Sequence, residues 1–172
     1  MKLFIAIKPN TEVNQAIYQQ ISPLIKKYPW FELTDPNNYH ITLQYIGETD
    51  KKKEIILYLK DLVKKYKSFY LFTRGMAMFS KQQLTIYVNF YREKIVEQIA
   101  NELALQEGNF FPHLTVARTK ISSKQQYFAL QKRLAQMKIE GQIDVSKIYL
   151  SNSRTNQGKL EYEEIESFKL LK

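Results

Sequence analysis

Two short segments of this sequence carry the residues best suited to chemistry. Tyr39-His40-Ile41-Thr42-Leu43-Gln44-Tyr45-Ile46-Gly47 and Phe111-Pro112-His113-Leu114-Thr115-Val116-Ala117-Arg118 each set a histidine two residues before a threonine, with aliphatic residues between and after. The chain has two histidines in all, and the two segments use both. Each segment is rich in β-branched and aromatic residues and reads as a strand, where alternate side chains share a face. His and Thr then stand on one side, about 7 Å apart along the chain. Ile41 with Leu43, and Leu114 with Val116, point to the other side. A lone strand histidine is ordinarily a packing residue; recurrence of the whole unit argues for a shared function.

An imidazole with a pKa near 6.5 exchanges protons readily around neutrality. A pair of them suits in-line displacement at phosphorus: one neutral ring takes a proton from the attacking oxygen, and one protonated ring gives a proton to the leaving oxygen. The Thr42 and Thr115 hydroxyls can hydrogen-bond the non-bridging phosphate oxygens as charge builds there. Arg118 lies three residues beyond Thr115, on the opposite face of a regular strand, and reaches a phosphate only if the strand twists or ends. A surface or ion-pair role fits it equally well. A metal centre is the competing chemistry, but two histidines fall short of a ligand set and no acidic residue stands at a helpful spacing. No metal or cofactor is therefore expected. The sequence also lacks a glycine-rich phosphate loop, a Gly-x-Ser-x-Gly elbow and a cysteine nucleophile.

The 172 residues suffice for one substantial core or two closely packed lobes, and no linker divides them, so residues 1–172 are expected to form a single domain. The 44% hydrophobic content, with twelve tyrosines and ten phenylalanines, excludes a disordered chain. With no cysteine, disulfides and thiolate metal sites are excluded, and a reducing cytoplasm is the compatible compartment. The apolar opening, Met1 to Ile7, is too short to span a membrane, and no signal-peptide cleavage pattern follows, so no membrane partner is expected. The net charge of +9 points to a polyanionic partner such as RNA, although the Lys51-Lys52-Lys53 and Lys64-Lys65 runs fall on polar helix faces.

The elements follow from hydrophobic period and punctuation. Residues 2–7 read as a doubly buried strand, and Asn10 or Thr11 caps a helix to about Tyr28 that Pro23 should kink. A loop with a short extended piece at Trp30 to Leu33 precedes the first His strand, which stops at Gly47. Thr49 or Asp50 caps a second helix to Tyr66, and strands follow at 68–79 and 83–90. A third helix from Arg92 to about Gln106, the second His strand at 113–118 and a fourth helix from Ser122 or Ser123 through Met137 come next. Strands at 142–150 and 160–170, joined by an Asn156-Gln157-Gly158 turn, close the chain. Helix, His strand, helix and strand pair thus recur, and a pseudo-two-fold would line one cleft with both motifs.

His40-Ile41-Thr42-Leu43 and His113-Leu114-Thr115-Val116 resemble the paired His-x-Thr-x motifs of the 2H phosphoesterase superfamily, and within it the RNA 2',3'-cyclic phosphodiesterase family, also called 2'-5' RNA ligase. Lys2-Leu3-Phe4-Ile5-Ala6 is similar to that family's opening strand, and the stretch with Leu150, Ser153, Gly158 and Tyr162 to its final hairpin. The resemblance implies an α+β, bilobal fold: two pseudo-symmetric lobes of mainly antiparallel sheet, with outer helices, around a central cleft. It implies metal-independent hydrolysis of 2',3'-cyclic phosphate RNA ends or nucleotides to 2'-phosphomonoesters; separately, a monomer is expected. By the same resemblance His40 is the proton donor and His113 the proton acceptor, with Thr42 and Thr115 on the phosphate; the residues alone leave the two roles interchangeable. Arg118, Phe4 and Tyr45 are the candidate substrate-binding residues, with Trp30 a further aromatic able to stack on a base. Two departures stand out: Gln44 occupies the place of a basic residue, and Thr73 to Phe79 lacks the expected proline. Hydrolysis or ligation of 2'-5' linkages, and non-catalytic binding of RNA ends, are the alternative functions.

Overall fold

The computed structural model describes residues 1–80, 83–104, 110–119, 124–157 and 159–172. Among the described residues the elements run β1 (Lys2–Ile7), α1 (Thr11–Ile25), β2 (Glu32–Leu33), β3 (Ile41–Glu48), α2 (Lys52–Leu62), β4 (Phe69–Ser80), β5 (Leu84–Phe90), α3 (Lys94–Ala104), β6 (His113–Thr119), α4 (Lys124–Gln136), β7 (Gln142–Val145), β8 (Lys147–Asn156) and β9 (Lys159–Lys169). Short 3-10 turns cover Pro36–Asn38 and Val63–Lys65. The order matches the repeat read from the sequence up to its last strand pair, where three strands stand in place of two.

Local chemistry explains most boundaries. The Asn10 side chain accepts a hydrogen bond from Val13 N at 2.8 Å and caps α1. Ile17, Ile21 and Ile25, four residues apart, form its buried stripe. Pro23 sits inside this helix, which ends two residues later at Ile25 and not at Tyr28, because proline removes one backbone donor and permits little continuation. Gly47, at φ +84°, takes a conformation that a side chain would strain, and β3 ends one residue beyond it. The expected caps Ser122 and Ser123 lie outside the described residues, as do Gln106, Gly108 and Gly158.

All strand pairings in the sheet are antiparallel, in the order β7-β4-β5-β6-β3-β1-β8-β9, with β2 also on β6. This path divides naturally into β3-β1-β8-β9 and β6-β5-β4-β7, which meet where β3 touches β6 at the single pair Ile41 and Leu114. Beyond that pair β2 takes the free edge of β6, so the two His strands diverge. The expected single strand at 142–150 is instead two strands parted at Ser146: β7 pairs with β4 in one half, β8 with β1 in the other. A continuous hydrophobic pattern could not reveal that its ends belong to opposite halves.

The chain weaves the halves together. One half is built from β4 to β7, and the other takes both the beginning and the end of the chain. The packing also crosses over: α3, between β5 and β6 in the chain, lies against β3 of the other half, whereas α4 stays on β4 of its own half. Ile5, Ile41, Ile86, Leu114, Ile17, Ile99, Leu130 and Leu134 belong to one hydrophobic cluster beneath the sheet. Each such fully buried side chain stabilises the fold by roughly 1.5–3 kcal/mol. The opposite face of the sheet carries the motif histidines.

Candidate active site

Both His strands contain the same backbone irregularity at the same place. In β3, Thr42 pairs with Ala6 but Gln44 with Ile5 and Tyr45 with Phe4, so Leu43 and Gln44 face a single partner residue. In β6, Thr115 pairs with Tyr87 but Ala117 with Ile86 and Arg118 with Thr85, so Val116 and Ala117 do the same. An extra residue of this kind is a β-bulge, and it reverses the alternation beyond it. Burial follows the reversal: Leu114, Val116, Ala117 and Thr119 are buried, whereas His113, Thr115 and Arg118 are partly open. The face that Arg118 would miss in a regular strand is therefore the one it occupies. Tyr45, at the equivalent position of β3, joins Thr42 and Phe4 on the corresponding face.

The histidines are held by matching hydrogen bonds. His40 Nδ1 lies 2.8 Å from the Asn38 carbonyl, and His113 Nδ1 3.0 Å from the Phe111 carbonyl. A carbonyl oxygen only accepts, so Nδ1 carries the hydrogen in each ring and Nε2 is the basic nitrogen of the neutral form. Both imidazoles thus keep the same nitrogen available for proton transfer. His40 stands just before β3 and His113 opens β6, on either side of the Ile41 and Leu114 pair.

Their surroundings differ. The His40 ring is packed by Phe4, with centroids 5.1 Å apart, and by the Tyr162 ring edge-on at 4.6 Å. Burial pushes its pKa down to about 4; the Asn38 hydrogen bond opposes the shift, and the positive charges of Arg118, Lys8 and His113 add to it. His40 thus lies within electrostatic reach of Arg118 and His113, which brings the two motifs to one site. The Arg118 charge on β6 also acts on the Tyr162 hydroxyl on β9, across the junction. Burial raises the Tyr162 pKa, so its phenol stays protonated. Lys8 pairs with Glu164 at 3.3 Å and lies over the Tyr149 ring. His113 is instead surrounded by Phe79, Tyr87 and Phe111, at centroid distances of 5.8, 5.6 and 6.1 Å.

Comparison with known proteins agrees with this architecture. Residues 31–157 match the family model described as the 2'-5' RNA ligase superfamily. The chain belongs to this superfamily. A relative from Thermotoga maritima, an RNA 2',3'-cyclic phosphodiesterase, is 30% identical over 132 residues, covering 70% of this chain and 71% of that protein. The fold matches Escherichia coli LigT complexed with ATP at a TM-score of 0.77 and 19% identity, over 99% of this chain and 98% of that one. It matches a Thermus thermophilus protein, TT0787, at 0.74 and 20% identity, with the same coverage.

Within this superfamily fold the structure gathers His40, Thr42, His113, Thr115, Arg118, Phe4 and Tyr45 on one face of the sheet. Trp30 packs edge-on against Tyr28 at 5.5 Å, in the segment leading to β2. Gln44, whose place suggested a basic group, falls on the far side of the bulge from Thr42 and Tyr45, and its amide bonds the Tyr45 carbonyl at 3.4 Å. Tyr162, Lys8, Phe79 and Tyr87 were missed as site residues because only strand pairing brings them to the histidines. The family likeness of Tyr162 was the one available signal. Among the described residues no group of three or more His, Cys, Asp or Glu side chains is placed to hold a metal ion, and no helix is long and apolar enough to cross a membrane.

Proposed function

We propose that this protein hydrolyses 2',3'-cyclic phosphates at RNA ends, or in nucleotides, to 2'-phosphomonoesters, by acid-base catalysis from His40 and His113 without a metal. The observation that carries this reading is the matched pair of imidazoles at the junction of the two sheet halves. Each has its Nδ1 committed to a backbone carbonyl and its Nε2 free for proton transfer. The family membership and the named activity of the Thermotoga relative support the substrate class.

In this mechanism water attacks the cyclic phosphorus and passes a proton to His113 Nε2. The bond from phosphorus to the 3'-oxygen breaks, and His40 gives that oxygen the proton on its own Nε2. The products are a 2'-phosphomonoester and a free 3'-hydroxyl, and exchange with solvent returns both rings to their starting states. Thr42, Thr115 and Arg118 hold the non-bridging oxygens as negative charge gathers there. Burial and positive neighbours leave His40 unprotonated near neutrality in the free protein. The phosphate anion offsets the Arg118 and Lys8 charges, so His40 takes up its proton with the substrate. Both motifs lie on one chain, and the protein acts as a monomer.

The test is incubation of the purified protein, in EDTA, with 2',3'-cyclic AMP and with a short RNA ending in a cyclic phosphate, and identification of the phosphomonoester. The expected product carries a 2'-phosphate and is absent with His40→Ala or His113→Ala. Loss of activity on adding EDTA would overturn the metal-free mechanism. Turnover of 2'-5' linkages alone would replace the proposed substrate.

A further inference from the structure

Beyond His113 the same sheet face carries an uncovered set of aromatic rings. In β4, Tyr70 and Phe72 point away from the core, 50% and 49% exposed, with ring centroids 6.4 Å apart. A bulge between Thr73 and Gly75 keeps this face continuous with Phe79, the residue that packs on His113. Tyr91, 58% exposed, donates its backbone N–H to the Phe72 carbonyl at 2.9 Å, which extends the β4 and β5 ladder by one residue and sets the two side chains opposite each other. Tyr91 is two residues, about 7 Å of strand, past Asn89, the residue paired with His113.

These rings flank a cavity of about 510 Å³ lined by Phe72, Tyr91, Glu140 and Gln142, together with Thr73 and the backbone around Gly141. Exposed aromatic faces over a largely apolar floor suit a nucleobase, whose face stacks on the rings. Arg74, exposed at the bulge on this same face, supplies a positive charge for the adjoining backbone. A cyclic phosphate can only be the 3' end of an RNA, so the rest of the strand must leave the catalytic histidines in its 5' direction across the protein surface.

We propose that Phe72 and Tyr91 form a second nucleobase subsite, which holds a nucleotide 5' to the reacting end of single-stranded RNA. This rests on the cyclic-phosphate RNA reading above. The subsite favours oligonucleotides over mononucleotides and tolerates any base, because stacking uses the π-face that all bases share. Arg74 adds a salt-dependent contribution.

The test combines binding and turnover on the full chain. Anisotropy is measured with 5'-labelled RNAs of one and six nucleotides ending in a 3'-phosphate, and kcat/KM with 2',3'-cyclic AMP, for wild type, Phe72→Ala, Tyr91→Ala and Phe72→Tyr. The expected result is a gain in affinity from the longer RNA that falls on the order of 10-fold in each alanine variant and survives in Phe72→Tyr. Mononucleotide turnover should be unchanged throughout. A length gain that is absent in wild type, or that persists in both alanine variants, overturns the subsite. Intact turnover without a length gain removes the subsite and leaves the hydrolytic reading standing. An alanine-sensitive length gain in a protein that turns over no cyclic phosphate does the reverse.

Discussion

The halves around His40 and His113 share a backbone and differ in their surroundings. Each supplies a carbonyl two residues before the histidine, a threonine two residues after it and a bulge directly beyond that threonine. Around His40 the space is closed by Phe4 and Tyr162 and flanked by the charges of Arg118 and Lys8. His113 is lined by aromatic rings, with half-exposed Phe111 leaning on it. A repeated backbone device therefore places two identical groups, and the unrepeated neighbours make them chemically unequal. The bulge position shows the division most directly, since its outcome is Tyr45 in one half and Arg118 in the other.

The comparison breaks first at the histidines. His40→Ala and His113→Ala should each lower kcat by 10²- to 10⁴-fold, with circular dichroism unchanged; a loss confined to one variant would mean that only one ring transfers a proton. Thr42→Val and Thr115→Val come next, with losses of about 10²-fold on the scale of one oxyanion donor, read in kcat with little change in KM.

Arg118→Gln tests the inequality more finely. Removing this charge should raise the His40 pKa from about 4, as followed by NMR titration of its ring protons. An unmoved His40 would show that the Arg118 charge does not reach that ring.

The smallest effect is on stability. The folded-state pKa of His40 lies below its unfolded value of 6.5, so the unfolded chain takes up the proton first. This contribution leaves stability undiminished above pH 6.5, lowers it as pH falls, and levels off below about pH 4, at a cost of at most roughly 3 kcal/mol. Urea unfolding of wild type against His40→Gln should show the difference narrowing in that window.

Much of this was legible in the chain itself. Asn10 before Val13, Ile17 and Ile21 announces α1, and the His-x-Thr alternation announces which sides of β3 and β6 are buried. These are local signals, set by period and by capping chemistry. The position of Arg118 was not legible, because a bulge depends on how a strand matches its partner, and a single strand gives no sign of where the match slips. The break at Ser146 was hidden for a related reason: residues on either side have similar propensity and pair with strands from opposite ends of the chain. Tyr162 is 122 residues from His40 in sequence (162 − 40) and meets it only through the β1, β8 and β9 ladder.

The sequence by itself determined the kinds of element, the two motif histidines with their threonines, and the family to which the chain belongs, because these rest on residue type and short spacing. The tertiary structure decided which face Arg118 serves, how deeply His40 is buried and which aromatic rings extend beyond His113. Those properties depend on register, bulges and desolvation, all of which arise between segments distant in the chain.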